Sequence, residues 1–320
     1  MWLRNRIGAL WGGTALAFLL AAGVAGAAPL AYVPNEKSGT LSVIDTADDK
    51  VVGEIQVGGR PRGIAAQANA RHIYVSDEAN VQVLVIDPET RKVVAKVPLE
   101  GSPEGIGMSK DGRWLAVANE TTDSVSLIDT ATNKEAHRIK VQGKNPEHAQ
   151  FSPDGSLLLV SSEDGSAVDV VDVATRKVVA HVPVGDRPRG IGFLPDGSVA
   201  YVAAENADKI FAIAPGTRKV TATIEGRKRC NGVTVQPDGS RVYVSNGGDG
   251  SVSVIDPATN RIVADIPVGK RPWNMALTPD GKKLYVANGR SNSVSVIDTR
   301  ANRVAGEITV GELPWGVAVR

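Results

Sequence analysis

The sequence predicts an all-β fold: a seven-bladed β-propeller of four-stranded blades, its ring closed by the C-terminal strand joining the N-terminal blade. Three observations carry this. A module recurs along the chain, with its marker position at Pro61, Pro103, Pro146, Pro188, Cys230, Pro272 and Pro314, in steps of 42, 43, 42, 42, 42 and 42 residues. Each copy reads as four short strands with turn signals between them. The chain also enters the module on its second strand and leaves it on its first, so the two ends complete one blade and leave no open sheet edge. A solenoid or helical array of the same period would need capping repeats, which the sequence lacks.

Within a module the elements follow in order. Strand A is typified by "RPRGIGFL" and ends in the turn signal "PDG"; strand B, as in "AYVAAE", leads into a small polar loop. Strand C reads "SVSVID", an Asp/Pro/Thr turn such as "DPATNR" follows, and strand D reads "IVADIPVG". Strands B and C are apolar and β-branched at nearly consecutive positions, which is expected where sheets are covered on both faces. The strand C aspartates Asp45, Asp87, Asp129, Asp172, Asp256 and Asp298 open turns, so capping is their expected role.

Before the first module, residues 1–27 combine the basic "MWLRNR", the apolar "IGALWGGTALAFLLAAGVAG" and the small residues "AGA". This predicts a cleaved export signal, leaving residues 28–320 as one propeller domain in the periplasm, with no membrane attachment after cleavage. Of 320 residues 42% are hydrophobic and the formal net charge is +1. A charge this near zero argues against nucleic acid as a partner. Cys230 is the one cysteine, so no internal disulfide can form, and in a proline slot it is expected to act as a small hydrophobe. A monomer is expected from ring closure.

The stretches "YVANGRSNSVSVIDT", "YVSNGGDGSVSVIDP" and "VGKRPWNMALTPDGKKLYVAN" resemble the YVTN family of seven-bladed propellers, over every repeat from 31 to 320. With "AYVPNEKSGTLSVIDT" opening an exported chain, the sequence is similar to the periplasmic propellers associated with PQQ-dependent alcohol catabolism. That resemblance implies an accessory role beside a quinoprotein dehydrogenase or its electron acceptor.

Strand order puts the loops from D to A and from B to C on one rim. At the end of strand B this rim carries Glu36, Glu78, Glu120, Glu163, Glu205, Gly247 and Gly289; after the marker it carries Arg62, Glu104, Glu147, Arg189, Asn231, Trp273 and Trp315. Acids give way to glycine, loops turn basic and two tryptophans arrive over blades 6, 7 and 1. A recess is expected there, with Arg62, Arg189, Arg229, Asn231, Arg271, Trp273, Asn274 and Trp315 binding an anionic planar ligand or a partner protein. PQQ, a tricarboxylate quinone, would suit such an arc. No metal centre is expected, since His148 is the single histidine in these loops.

On this reading the protein is a binding module rather than an enzyme. The alternative is a lactonase-type hydrolase, a chemistry that similar seven-bladed propellers host, assembled from His148, Glu147, Glu163 and Arg189.

Overall fold

The structure, a computed structural model, describes residues 1–2, 28–67 and 71–320. The export signal expected at 1–27 lies almost wholly outside the described residues. Among those described, no helix is long and apolar enough to cross a membrane.

Seven four-stranded antiparallel sheets account for nearly all the regular structure described. Blade 2 is typical: strand A is Pro61–Ala66, strand B Ile73–Asp77, strand C Gln82–Asp87 and strand D Lys92–Pro98. Among the described residues a single 3-10 turn, Glu120–Thr122, interrupts the pattern. In every blade the register between strands C and D slips by one residue, for example at Val85/Ile86 and Val254/Ile255. Such bulges increase the twist that lets flat-packed sheets fan around an axis.

Blade 1 is built from both ends of the chain. Tyr32 pairs with Ala318 and Ala31 with Val319, and backbone bonds join Leu30 to Arg320 in both directions at 2.8 and 2.9 Å. The ring is therefore shut by hydrogen bonds between residues nearly the whole chain apart.

Strands B and C are buried on both faces because each sheet packs between two others. Tyr32, Tyr74, Tyr201, Tyr243 and Tyr285 are fully buried on strand B. A buried phenol needs a partner for its hydroxyl. Tyr74 finds it in Asn133 (2.9 Å) and Tyr201 in Asn260 (2.7 Å), each in the C–D turn of the next blade, and Tyr285 donates to Asp49 in the same way. These turn residues adopt positive φ, a conformation that Asn and Asp tolerate better than most. In four blades an asparagine at the end of strand B donates to two serine or threonine hydroxyls on strand C, as Asn246 does to Ser251 and Ser253 at 3.0 and 2.9 Å. The strand C aspartates accept backbone N–H groups two or three residues on, as at Asp87 and Asp172.

One further bond positions the rim. The N–H of the residue following strand B donates to the carbonyl just before the marker position in all seven blades, from Glu36 to Leu313 (3.0 Å) through Gly289 to Arg271 (3.0 Å). Each B–C loop is thereby clipped to a D–A loop.

Candidate functional site: the channel mouth

Because of those clips, the residue after each marker and the residue after each strand B meet at one end of the central channel. They enclose a cavity of about 440 Å³ lined by Arg62, Glu104, Glu147, Arg189, Asn231, Trp273 and Trp315, together with Glu36, Glu78, Glu120 and Glu163. Arg187, Arg229 and Arg271 hold positive φ at the position before the marker. That backbone costs an L-residue about 1–2 kcal/mol and is kept where the surroundings demand it.

The arginines are already engaged. Arg189 lies 2.5 Å from Glu147 and 2.9 Å from Glu205, and also contacts Glu163. Arg62 pairs with Glu104 and stands 3.3 Å from Glu36. Glu205 is fully buried and receives Arg271 at 2.6 Å, Arg229 at 3.1 Å and Arg189, with Arg187 at 3.3 Å. Burial pushes Glu205 up, but Arg189 and Arg271 outweigh it and hold the carboxyl below the ordinary range.

The other acids have the opposite balance. Burial raises Glu104 to about 7 against the pull of Arg62. Glu147 is driven well above the usual carboxylate range, first by burial and then by the charges of Glu104 and Glu163, with Arg189 opposing; Glu163 is raised by burial too. Loss of water thus raises all three carboxyls against the arginines that pair with them. Oxygens of Glu120, Glu147 and Glu163 converge within 4.8 Å, a set a hard cation could use, but the Arg189 guanidinium already contacts two of the three.

The glycines on strand B ends have a steric reason. A Cβ at Gly289 would lie 2.6 Å from the Trp273 ring, and one at Gly247 2.7 Å from Arg271 Nη1. The recess expected over blades 6, 7 and 1 is therefore partly filled by Trp273 and Arg271, whose guanidinium sits 5.9 Å from the Trp273 ring centre. Trp273, Asn274 and Trp315 line what remains. Asn231 faces it with its Nδ2 donors unpartnered though the residue is 5% exposed, and Arg271 Nη1 is unpartnered as well. Arg229 is turned onto Glu205 instead of the cavity.

His148 is not at the mouth. It lines the channel one level lower, packed against Gly105, and burial together with the Arg189 charge lowers its pKa to about 4. Cys230 is buried, donates to the carbonyls of Ala204 and Lys209, and burial raises its thiol to about 12.

The repeat phase names these rim positions and sets Arg62 or Arg189 beside Glu36 or Glu205, contacts the structure has at 3.3 Å for Arg62 with Glu36 and 2.9 Å for Arg189 with Glu205; the pairing of Arg62 with Glu104 and of Arg189 with Glu147 and Glu163 it does not show. Phase shows which residues share a level, not every carboxylate an arginine takes.

No curated protein matches the chain. Among solved structures, hydrazine synthase of Kuenenia stuttgartiensis is 24% identical with a TM-score of 0.77, covering 84% of this chain and 92% of that one. A functionally unknown protein of Desulfotomaculum acetoxidans is 18% identical (TM-score 0.81; 91% and 98%) and the periplasmic gluconolactonase PpgL of Pseudomonas aeruginosa 22% (0.76; 91% and 98%). At these identities the likeness is one of fold. The family model described as "Lactonase, 7-bladed beta-propeller" matches residues 47–179 and 173–312. That match overturns the expectation of a binding module without enzymatic activity. The chain belongs to the seven-bladed β-propeller lactonase family.

Proposed function

We propose that the protein hydrolyses a lactone in the channel mouth. The observation that carries this is a buried amide donor without a partner, Asn231 Nδ2, sharing one cavity with carboxyl groups whose proton affinity is raised toward neutrality. Ester hydrolysis needs both: a base for water and donors for the oxygen that becomes negative.

In this reading Glu104, held by Arg62, takes a proton from water as the water oxygen bonds to the carbonyl carbon. Asn231 Nδ2 donates to the carbonyl oxygen as it gains charge, with Arg271 adding positive potential. The tetrahedral intermediate collapses, the ring C–O bond breaks, and Glu104 returns its proton to the departing oxygen to give a hydroxy acid. Trp273 and Trp315 offer flat apolar walls to the ring. Arg189, saturated by three glutamates, acts as the positioning residue for those acids rather than as a substrate clamp, and His148 lies below the reacting atoms.

A sugar lactone is one candidate substrate, in line with the gluconolactonase PpgL among the structural neighbours. Binding of PQQ or docking on a quinoprotein dehydrogenase has less support, because the arginines of that arc are paired with Glu205. A periplasmic location rests on the export signal expected from the sequence.

The test is lactone turnover, including glucono-δ-lactone, followed by acid release. Turnover is expected, with Asn231→Leu and Glu104→Gln each lowering kcat/KM by about 100-fold or more. A purified, folded protein that opens none of a panel of γ- and δ-lactones refutes the reading.

A further inference from the structure

Glu120 differs from the acids around it in having no partner. It opens the turn Glu120–Thr122 after strand B of blade 3, and its N–H is clipped to the carbonyl of Ser102 at 2.8 Å, two residues before Glu104. Its half-buried carboxylate lines the cavity with Glu104, Glu147 and Glu163. Those three have arginines: Arg62 on Glu104, and Arg189 on both of the others. Among the described residues the Glu120 carboxylate takes no ion pair and no hydrogen bond.

Its charge is felt across blades 3 and 4. Burial is the first reason that Glu104, Glu147 and Glu163 hold protons more tightly than exposed acids, and the negative charge of Glu120 adds to it at all three. A positive group set against Glu120 relieves them together. Across the ring the cavity has the opposite sign, since Arg290 on blade 7 lines it and, among the described residues, has no acid on it. A cationic substituent is therefore drawn to blade 3 and kept from blade 7.

An acid alone is no site, but this one shares its cavity with a donor in need of a ligand. Asn231 is 5% exposed and its Nδ2 has no partner. Trp273 and Trp315 supply apolar walls to the same space. A divalent metal ion needs several carboxylate oxygens at once, and Arg189 holds both Glu147 and Glu163. An ammonium group needs only Glu120 and water or one neighbouring oxygen.

We propose that Glu120 is a specificity-determining residue and that the substrate class is a lactone with a protonated amine on the ring carbon next to the carbonyl. This rests on the lactone-hydrolase reading of the mouth. With the carbonyl oxygen on Asn231 in blade 6 and the attacking water on Glu104 in blade 3, a substituent one atom from the carbonyl carbon comes within reach of Glu120. The ammonium donates to the carboxylate in ground and transition states alike, so the contact lowers KM.

The experiment compares three γ-butyrolactones that differ at that one carbon: α-methyl, its near-isostere α-amino, and α-carboxy. Assays run at pH 6, where the amine is protonated, with EDTA present so that no metal ion bridges the acids. Each kcat/KM is divided by the rate at which that lactone opens in buffer alone, which removes its intrinsic reactivity. In the unaltered protein the α-amino lactone is expected to exceed the α-methyl lactone by about tenfold or more, through KM, and the α-carboxy lactone to fall below both. Glu120→Gln is expected to lower the amino to methyl ratio by about tenfold or more, thermal melts reporting that the variant is folded. Glu312→Gln removes an acid paired with Lys37 outside the cavity and should leave the ratio within about twofold.

Opening of the α-methyl lactone with a ratio near one overturns the ammonium site and leaves the hydrolase reading standing. A ratio unchanged in folded Glu120→Gln does the same, as does turnover of glucono-δ-lactone with none of the three opened. If no lactone of any kind is opened, the hydrolase reading falls and this proposal falls with it. Should Glu120→Gln lose the fold, the ranking of the three lactones by the unaltered protein decides.

Discussion

Arg271 reaches the buried Glu205 at 2.6 Å by crossing Gly247, where a Cβ would stand 2.7 Å from its Nη1. A missing side chain on one blade is what allows a guanidinium from the next blade to reach an acid of the blade before. Gly247→Ala is expected to push the Arg271 side chain aside, lowering kcat/KM for lactones by about tenfold or more, the loss of one charge-assisted contact worth about 1.5–3 kcal/mol. Gly216→Ala, which meets open space, is the control and should change nothing. Thermal melts and lactone turnover on the two variants check this.

Glu205 has no exposed surface and is the carboxylate on which Arg189, Arg229 and Arg271 converge. Its replacement by glutamine leaves the buried Arg271 without an anion and Arg189 with two of its three. A loss of about 3–5 kcal/mol is expected in urea denaturation, larger than that from truncating an exposed pair such as Lys37 with Glu312.

Glu104 titrates near 7 because burial outweighs Arg62. Its carboxyl is raised in the folded state, so the native protein binds an extra proton between about 4.5 and about 7, and stability contributed by this group falls as pH rises through that window. Activity should move the other way, rising toward and above pH 7 as the base ionises. Melting temperatures from pH 5 to 8 are expected to decline less in Glu104→Gln than in the unaltered protein. The acid limb of its pH–rate profile should be lost with most of the rate.

The Cys230 thiol, buried and raised to about 12, should be inert. At pH 8 a thiol-disulfide reagent is expected to label it only when the protein is unfolded in guanidinium. Rapid labelling of the native protein would show that strand A of blade 6 opens to solvent.

Tyr285 donates its hydroxyl to Asp49 across the junction between blades 7 and 1, beside the Lys283 contact to the same carboxylate at 2.8 Å. Tyr285→Phe is expected to destabilise by about 1.5–3 kcal/mol, since it leaves a shielded acid short of a donor at the blade interface on which closure depends. Equilibrium unfolding measures it directly.

The repeat made the fold legible. Strand order, blade number and closure by the last strand follow from where marker prolines and apolar runs fall, because a β module that buries both faces must stack on copies of itself. The same phase named which residues share the channel mouth, including Glu104, Asn231, Trp273 and Trp315. It also led to reading the basic arc as an open anion site, and there tertiary structure decided otherwise. Arg189 turns onto three acids, Gly247 and Gly289 are filled by Arg271 and Trp273, and His148 drops below the rim. Register along the chain places backbone atoms, but pairing among long charged side chains is settled by distances of a few ångströms between blades and by how much water each carboxylate has lost. Those quantities exist only once the ring is closed.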